Sequence, residues 1–168
     1  MAAVVCRRAL AESFASSGIE YFNTFGGNSV ACRIAEAVID VIEEERLQDN
    51  ALKVGAYLSE RLQSLVDRYE WVGEARGCGL FQGVEFVCSK SKADRHFLDP
   101  FPELAKFLVD YLRYRHIIVS RDGPAENVIK IKPPLVFSCV DVDSLVDTMQ
   151  RGLECALSLE LFRNMQSR

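Results

Sequence analysis

Three features of the sequence predict an α+β fold, a mainly antiparallel sheet covered by helices. Long segments carry apolar residues at helical spacing, short β-type segments broken by glycine come in adjacent pairs, and the two kinds follow the order helix, helix, strand, strand, helix, strand, strand, helix. Strands adjacent in sequence and joined by short connections pair antiparallel. With 168 residues, 49% hydrophobic and 26% charged, the chain can bury one sizeable core.

Taken in order, Ala2–Val5 reads as the tail of a strand, and Arg8–Ala15 as a short helix stopped by Ser16-Ser17-Gly18. A strand tail as first element, with no cap or linker ahead of it, implies partner strands in sequence that precedes the chain. After the loop Glu20–Gly27, Asn28 is placed to cap a helix. Its apolar residues Val30, Ala31, Ile34, Ala35, Val38, Val41 and Ile42 recur at helical spacing, and Glu36, Asp40, Glu43 and Glu44 form its wet face. Asp49 starts a second long helix, with Leu52, Leu58, Leu62 and Leu65 on one side, ending near Arg68. Val72–Glu74 and Leu80–Val87 then read as strands joined by a tight turn or bulge, punctuated by Gly73, Gly77, Gly79 and Gly83.

The polar stretch 89–102, with Pro100 and Pro102, reads as a surface loop. A third helix is predicted from Glu103 to Tyr114. Two short strands follow, Ile117–Ser120 and Asn127–Lys132, the second stopped by Pro133-Pro134 because proline cannot donate to a sheet ladder. Val142 to about Leu157 is the closing helix. The expected organisation is a compact domain over residues 28–168 preceded by a foreign piece, residues 1–27.

Composition excludes several functions. The net charge is −4 and the basic residues are scattered, so nothing resembles a nucleic-acid or anionic-membrane footprint. The longest apolar runs are far too short to span a bilayer, and Met1–Val5 lacks the apolar core of a signal peptide. Six cysteines without a CxxC pair, and only His96 and His116 as co-ligands, argue against a metal site or a disulfide framework. Reduced, mostly buried thiols in an intracellular compartment, mitochondrial or cytoplasmic, are the expectation.

Five stretches carry a resemblance. Tyr21-Phe22-Asn23-Thr24-Phe25-Gly26-Gly27-Asn28 is followed by an Ala-rich helix. Then come Glu43–Leu47 with Asn50-Ala51, Val72–Phe81, Asp122-Gly123-Pro124, and Asn127–Leu135. Together and in this order they resemble the C-terminal portion of class III aminotransferases, fold type I enzymes that use pyridoxal 5'-phosphate (PLP). The wording NTFGGN and KIKPPL is most similar to the phospho-lyase branch, which eliminates phosphate from phosphoethanolamine or phosphohydroxylysine.

The resemblance implies that residues 1–27 are the end of a large PLP-binding domain, and 28–168 the C-terminal small domain with its leading linker helix. In that family the Schiff-base lysine and the acid near the pyridine nitrogen both precede the TFGGN loop. No residue here is therefore assigned as catalytic, and the chain alone is expected to be inactive. Thr24 is the implied cofactor contact, its hydroxyl donating to the PLP phosphate of the neighbouring subunit of a homodimer. The blander reading is a helix-initiating turn capped by Asn28. Lys130 stands where relatives acting on amino acids carry an arginine for the substrate α-carboxylate. Lysine lacks the planar fork of arginine, which fits a phosphorylated amine without that carboxylate, whose anionic group Lys130 would meet as a point charge. Alternatively, Lys130 and Lys132 are solvated strand charges. Arg76 reads as a structural ion pair, with anion binding as the alternative, Arg121-Asp122 as a turn, and the histidines have no assigned role.

Besides a phospho-lyase, the sequence leaves open a transaminase of amino acids, a non-catalytic short form pairing with full-length subunits, and a free-standing ligand-binding domain.

Overall fold

The computed structural model describes residues 2–88 and 99–159. They divide between two compact units, Met1–Arg46 and Leu47–Arg168.

In the first unit, residues 2–7 are irregular and exposed, so the expected strand at Ala2–Val5 is not formed. No ladder partner satisfies its backbone within the unit. Helix α1 spans Arg8–Ser16 and α2 spans Ser29–Glu44. Asn28 caps α2 as expected, its Oδ1 accepting the Ala31 N–H at 2.9 Å. None of the described residues of this unit is fully buried, and the apolar stripe Val30, Ile34, Val38 and Val41 of α2 stands exposed.

The second unit carries the core. Helix α3 runs Leu47–Arg68, starting two residues before the expected Asp49, directly after Arg46 in a left-handed conformation (φ 52°). Val54, Leu58, Leu62 and Leu65 face inward, whereas Leu52, expected on that side, is 65% exposed. Strands β1 (Val72–Cys78) and β2 (Phe81–Phe86) form an antiparallel hairpin, with a bulge between Val72 and Glu74. Helix α4 is Pro102–Arg113, β3 is Ser120–Asp122, β4 is Val128–Ile131 and α5 is Cys139–Ser158. The sheet is wholly antiparallel in the order β1-β2-β4-β3. Val84, Phe86, Ile129 and Ile131 fill its inner face. There α3 packs over β1, α4 over β3 and β4, and α5 against both helices. Each fully buried leucine or phenylalanine of this core contributes roughly 1.5–3 kcal/mol.

Three sequence expectations are corrected. The surface loop 89–102 lies outside the described residues up to 98, but its end is core. Phe101 is 1% exposed, its ring set edge-on to Trp71 at 5.9 Å, and Pro102 opens α4 at the one place in a helix where a missing N–H costs nothing. The third strand begins at Ser120 rather than Ile117, because His116 turns through a left-handed conformation (φ 64°) and the chain meets β4 only from Ser120 onward. The cysteines are free but not mostly buried: Cys6, Cys32 and Cys78 are exposed, and Cys88, Cys139 and Cys155 half-buried.

The closing helix starts three residues earlier than expected because Ser138 and Asp141 form a reciprocal capping box. The Ser138 hydroxyl, then its backbone N–H, holds the Asp141 carboxyl below its ordinary range. A depressed folded value means that the box contributes above the unfolded carboxylate range and is lost as pH falls through the folded one. Ser138→Ala should cost about 1 kcal/mol at neutral pH in a denaturant titration, with a difference that shrinks in acid. A pH-independent difference would assign the loss to something other than the box. No helix among the described residues is long and apolar enough to cross a membrane.

Candidate functional site

The turn ahead of α2 is built by its asparagines. Asn23 Oδ1 accepts the Phe25 N–H at 3.2 Å and Asn23 O the Gly26 N–H at 3.2 Å, while Asn28 Nδ2 donates to Phe25 O at 2.6 Å. Gly27 takes a positive φ of 69°, which L side chains rarely adopt, so the turn requires glycine there. A depression of about 300 Å³ opens against Asn23, Phe25, Gly26, Gly27, Asn28 and Ala31. Thr24 sits exposed on this turn, and its hydroxyl makes no hydrogen bond within the described residues.

The donor set suits a phosphate. It offers a free hydroxyl beside a helix N-terminus whose first turn carries no acidic residue, so nothing there repels an anion. Residues 1–46 contain no lysine. Of the lysines in the second unit, Lys53 is exposed on α3, Lys106 is paired with Asp110 at 4.0 Å, and Lys132 lies over the Phe81 ring at 5.9 Å. None of these has the desolvated setting that makes a lysine amine nucleophilic.

Arg76 and Lys130 share the outer face of the sheet. The register sets Arg76, Gly83, Lys130 and Ser120 in one row across all four strands, and Glu74, Glu85, Val128 and Asp122 in the next. Arg76 donates to Glu74 at 2.9 Å and Glu85 at 2.6 Å, so the expectation of a structural ion pair is met. Glu85 is held in turn by Asn127 Nδ2 at 3.2 Å. Arg121 pairs with Glu126 at 2.9 Å across the β3–β4 turn.

Lys130 is not a loose solvated charge. Its ammonium is ion-paired with Asp122, a diagonal neighbour on β3, and its side chain is 28% exposed. Lys130, then the Gly123 N–H, holds the Asp122 carboxyl below its ordinary range.

Two polar residues that sequence reasoning left without a role join the motifs. Asn50 Nδ2 donates to the Leu135 and Phe137 carbonyls at 2.8 and 3.0 Å, tying α3 to the segment after Pro133-Pro134. Asn127 is buried, and its Nδ2 also donates to Phe86 O at 2.9 Å, locking β2 to the start of β4. Their presence in the recurring stretches was the available signal, but their partners are distant in sequence.

The family model for class-III aminotransferases matches residues 1–153, and the chain belongs to that family of PLP-dependent enzymes. It is 43% identical over 145 residues to an alanine–glyoxylate aminotransferase 2-like protein of Drosophila melanogaster, covering 86% of this chain and 28% of that protein. Among solved structures, it resembles a phospholyase from Arthrobacter in complex with phosphoethanolamine (TM-score 0.75, 35% identity, 90% of this chain and 34% of that one). An amine transaminase from an uncultivated Pseudomonas species in its PLP-bound form is also similar (TM-score 0.69, 33% identity, 83% and 30%). The chain thus spans less than a third of the length of the curated relatives it matches.

Proposed function

We propose that this chain forms part of a PLP-dependent phospho-lyase acting on a small phosphorylated amine, such as phosphoethanolamine or phosphohydroxylysine. Residues 1–27 would be the end of its large domain and 28–168 its small domain, with α2 as the linker. PLP when bound supplies an electron sink for carbanion chemistry. The lysine that anchors it is assigned to sequence outside this chain. Thr24 donates its hydroxyl to the cofactor phosphate of the neighbouring subunit in a homodimer, and the N-terminus of α2 adds a favourable dipole. Lys130 meets the anionic group of the substrate.

The observation that carries the reading is Lys130 itself, a half-buried cation with a single ammonium head, at a position where the family resemblance implies a fork-shaped guanidinium in enzymes acting on amino acids. Similarity to the Arthrobacter phospholyase supports the same substrate class. The second reading, a transaminase of amino acids, is favoured by the 43% identity to the alanine–glyoxylate aminotransferase-like protein.

The two separate in one assay on a protein that carries these residues together with the upstream part its relatives possess. Release of inorganic phosphate from phosphoethanolamine is expected; pyruvate from alanine and glyoxylate without phosphate release would instead establish the transaminase. In the same protein Thr24→Val should raise the PLP concentration for half-saturation roughly 5- to 10-fold, the size of one lost hydrogen bond to a charged group. Unchanged PLP affinity would return Thr24 to a turn residue. The 168-residue chain mixed with PLP and reduced with borohydride should show no stoichiometric adduct by intact mass. An adduct on one lysine would place the anchor inside the chain.

A further inference from the structure

Thr24 lies inside a turn that Asn23 closes with both its backbone and its side chain. Asn23 O accepts the Gly26 N–H and Asn23 Oδ1 the Phe25 N–H, each at 3.2 Å, so Thr24 is the second residue of a four-residue turn. Asn23 Nδ2 donates to the Tyr21 hydroxyl at 3.4 Å. The Asn23 side chain lies folded over Gly26. A Cβ built on Gly26 would sit 3.1 Å from Asn23 Cγ and 3.2 Å from its Cβ and Nδ2. Gly27 is required by its positive φ, whereas Gly26 is outside that region. What glycine supplies at position 26 is room for the Asn23 side chain.

Two consequences bear on an anion at this turn. The Phe25 and Gly26 N–H groups are engaged inside the turn, so neither is offered to a ligand. Threonine is β-branched and stiff at χ1, so the direction of its hydroxyl follows from its backbone. That backbone is held by the two bonds to Asn23, which restrict it before any ligand arrives.

Resting on the proposed contact of Thr24 with the cofactor phosphate, we propose that Asn23 is the positioning residue of that contact. By holding the Phe25 and Gly26 amides it orders the Thr24 backbone in advance, and the hydroxyl meets the phosphate without first having to be ordered. Asn23 acts through Thr24 and makes no contact of its own with the phosphate.

The test uses the same longer protein as the Thr24→Val experiment. Its apoprotein is titrated with PLP, half-saturation being read from cofactor absorbance rather than turnover, in a double-mutant cycle of Asn23→Ala and Thr24→Val. Asn23 is exposed in a unit without a buried residue, so its substitution leaves the core untouched. Asn23→Ala should raise half-saturation roughly 3- to 10-fold, because Thr24 must then be ordered on binding. In the Thr24→Val background the same substitution should change it by less than about 2-fold, since no hydroxyl is left to aim. Asn23→Ser, whose hydroxyl accepts the Phe25 N–H more weakly, should recover part of the loss. A merely structural role would weaken binding by the same factor in both backgrounds. That result overturns the role of Asn23 and leaves Thr24 as the phosphate contact. No effect of Asn23→Ala where Thr24→Val does weaken binding also overturns it, since the turn then holds without this side chain. If Thr24→Val itself leaves PLP affinity unchanged, the Thr24 reading falls and this inference with it.

Discussion

Gly55→Ala should destabilise the core-bearing unit by about 2–3 kcal/mol, although alanine is the better helix former. A Cβ built on Gly55 would lie 2.3 Å from the carbonyl carbon of Gly79 and 2.5 Å from its Cα and O. These are backbone atoms of the β1–β2 turn, so no rotamer change relieves the overlap, and α3 or the turn must move as a body. Helix propensity returns only about 1 kcal/mol, against an overpacking cost of roughly 3–4 kcal/mol, at the top of the usual range because backbone rather than side-chain atoms must yield. Gly152→Ala in α5 is the internal comparison. Its Cβ would meet the Leu108 Cδ2 methyl at 2.7 Å and the Tyr111 ring at 3.0 Å, which are side-chain atoms able to yield. There the propensity gain offsets most of the strain, and the net change should stay within about 1 kcal/mol. Denaturant midpoints of the two variants, compared at equal slope, decide the matter. Equal midpoints would show that the β1–β2 turn gives way easily and that the close approach of α3 is not a constraint.

What the sequence disclosed, and what it hid, follows from how far each signal reaches along the chain. The helices were legible because their apolar spacing is local: Leu58, Leu62 and Leu65 announce α3, although Leu52, read on the same side, is exposed and Val54 takes the inner position, and Leu104, Leu108 and Leu112 announce α4. Antiparallel pairing of β1 with β2 was legible from the short connection. The neighbour relation of β2 with β4 was not, since nothing within Phe81–Phe86 names Val128–Ile131 as its partner. The start of α5 shifted by three residues because Asp141 reaches back to Ser138, and that of α3 by two, directly after the left-handed Arg46. The site shows the same divide. The loop around Thr24 was readable because Asn28 and Gly27 act within a few residues. The pairing of Lys130 with Asp122 depends on β3 and β4 being in register, and the role of Asn50 depends on a carbonyl 85 residues away. The first unit hid its packing for a different reason. The stripe on α2 declares a face to be covered, and the described residues of that unit do not cover it.

Phe101→Ala tests the point where local signals misled most, and should cost about 3–5 kcal/mol, the range for emptying a fully buried aromatic site. Read by composition, Phe101 belongs to a polar, proline-flanked loop, where the same substitution would fall within about 0.5 kcal/mol. In the structure its backbone N–H donates to the Phe86 carbonyl at 3.0 Å, extending the hydrogen bonding of β2. Its ring stands perpendicular to Trp71, a geometry worth roughly 0.5–1.5 kcal/mol beyond the area buried. Pro100 bridges to Val87 and Pro102 opens α4, so the two prolines that signalled a loop fix the aromatic between them. Both flanking φ angles are preset by the proline rings, and the backbone has little freedom to collapse into the cavity an alanine would leave. Loss of most of the thermal transition, with Trp71 fluorescence shifting toward that of a solvated indole, is the expected result. A change below 1 kcal/mol would mean that residues 99–101 are held at the surface after all, and that the core closes over Trp71 without them.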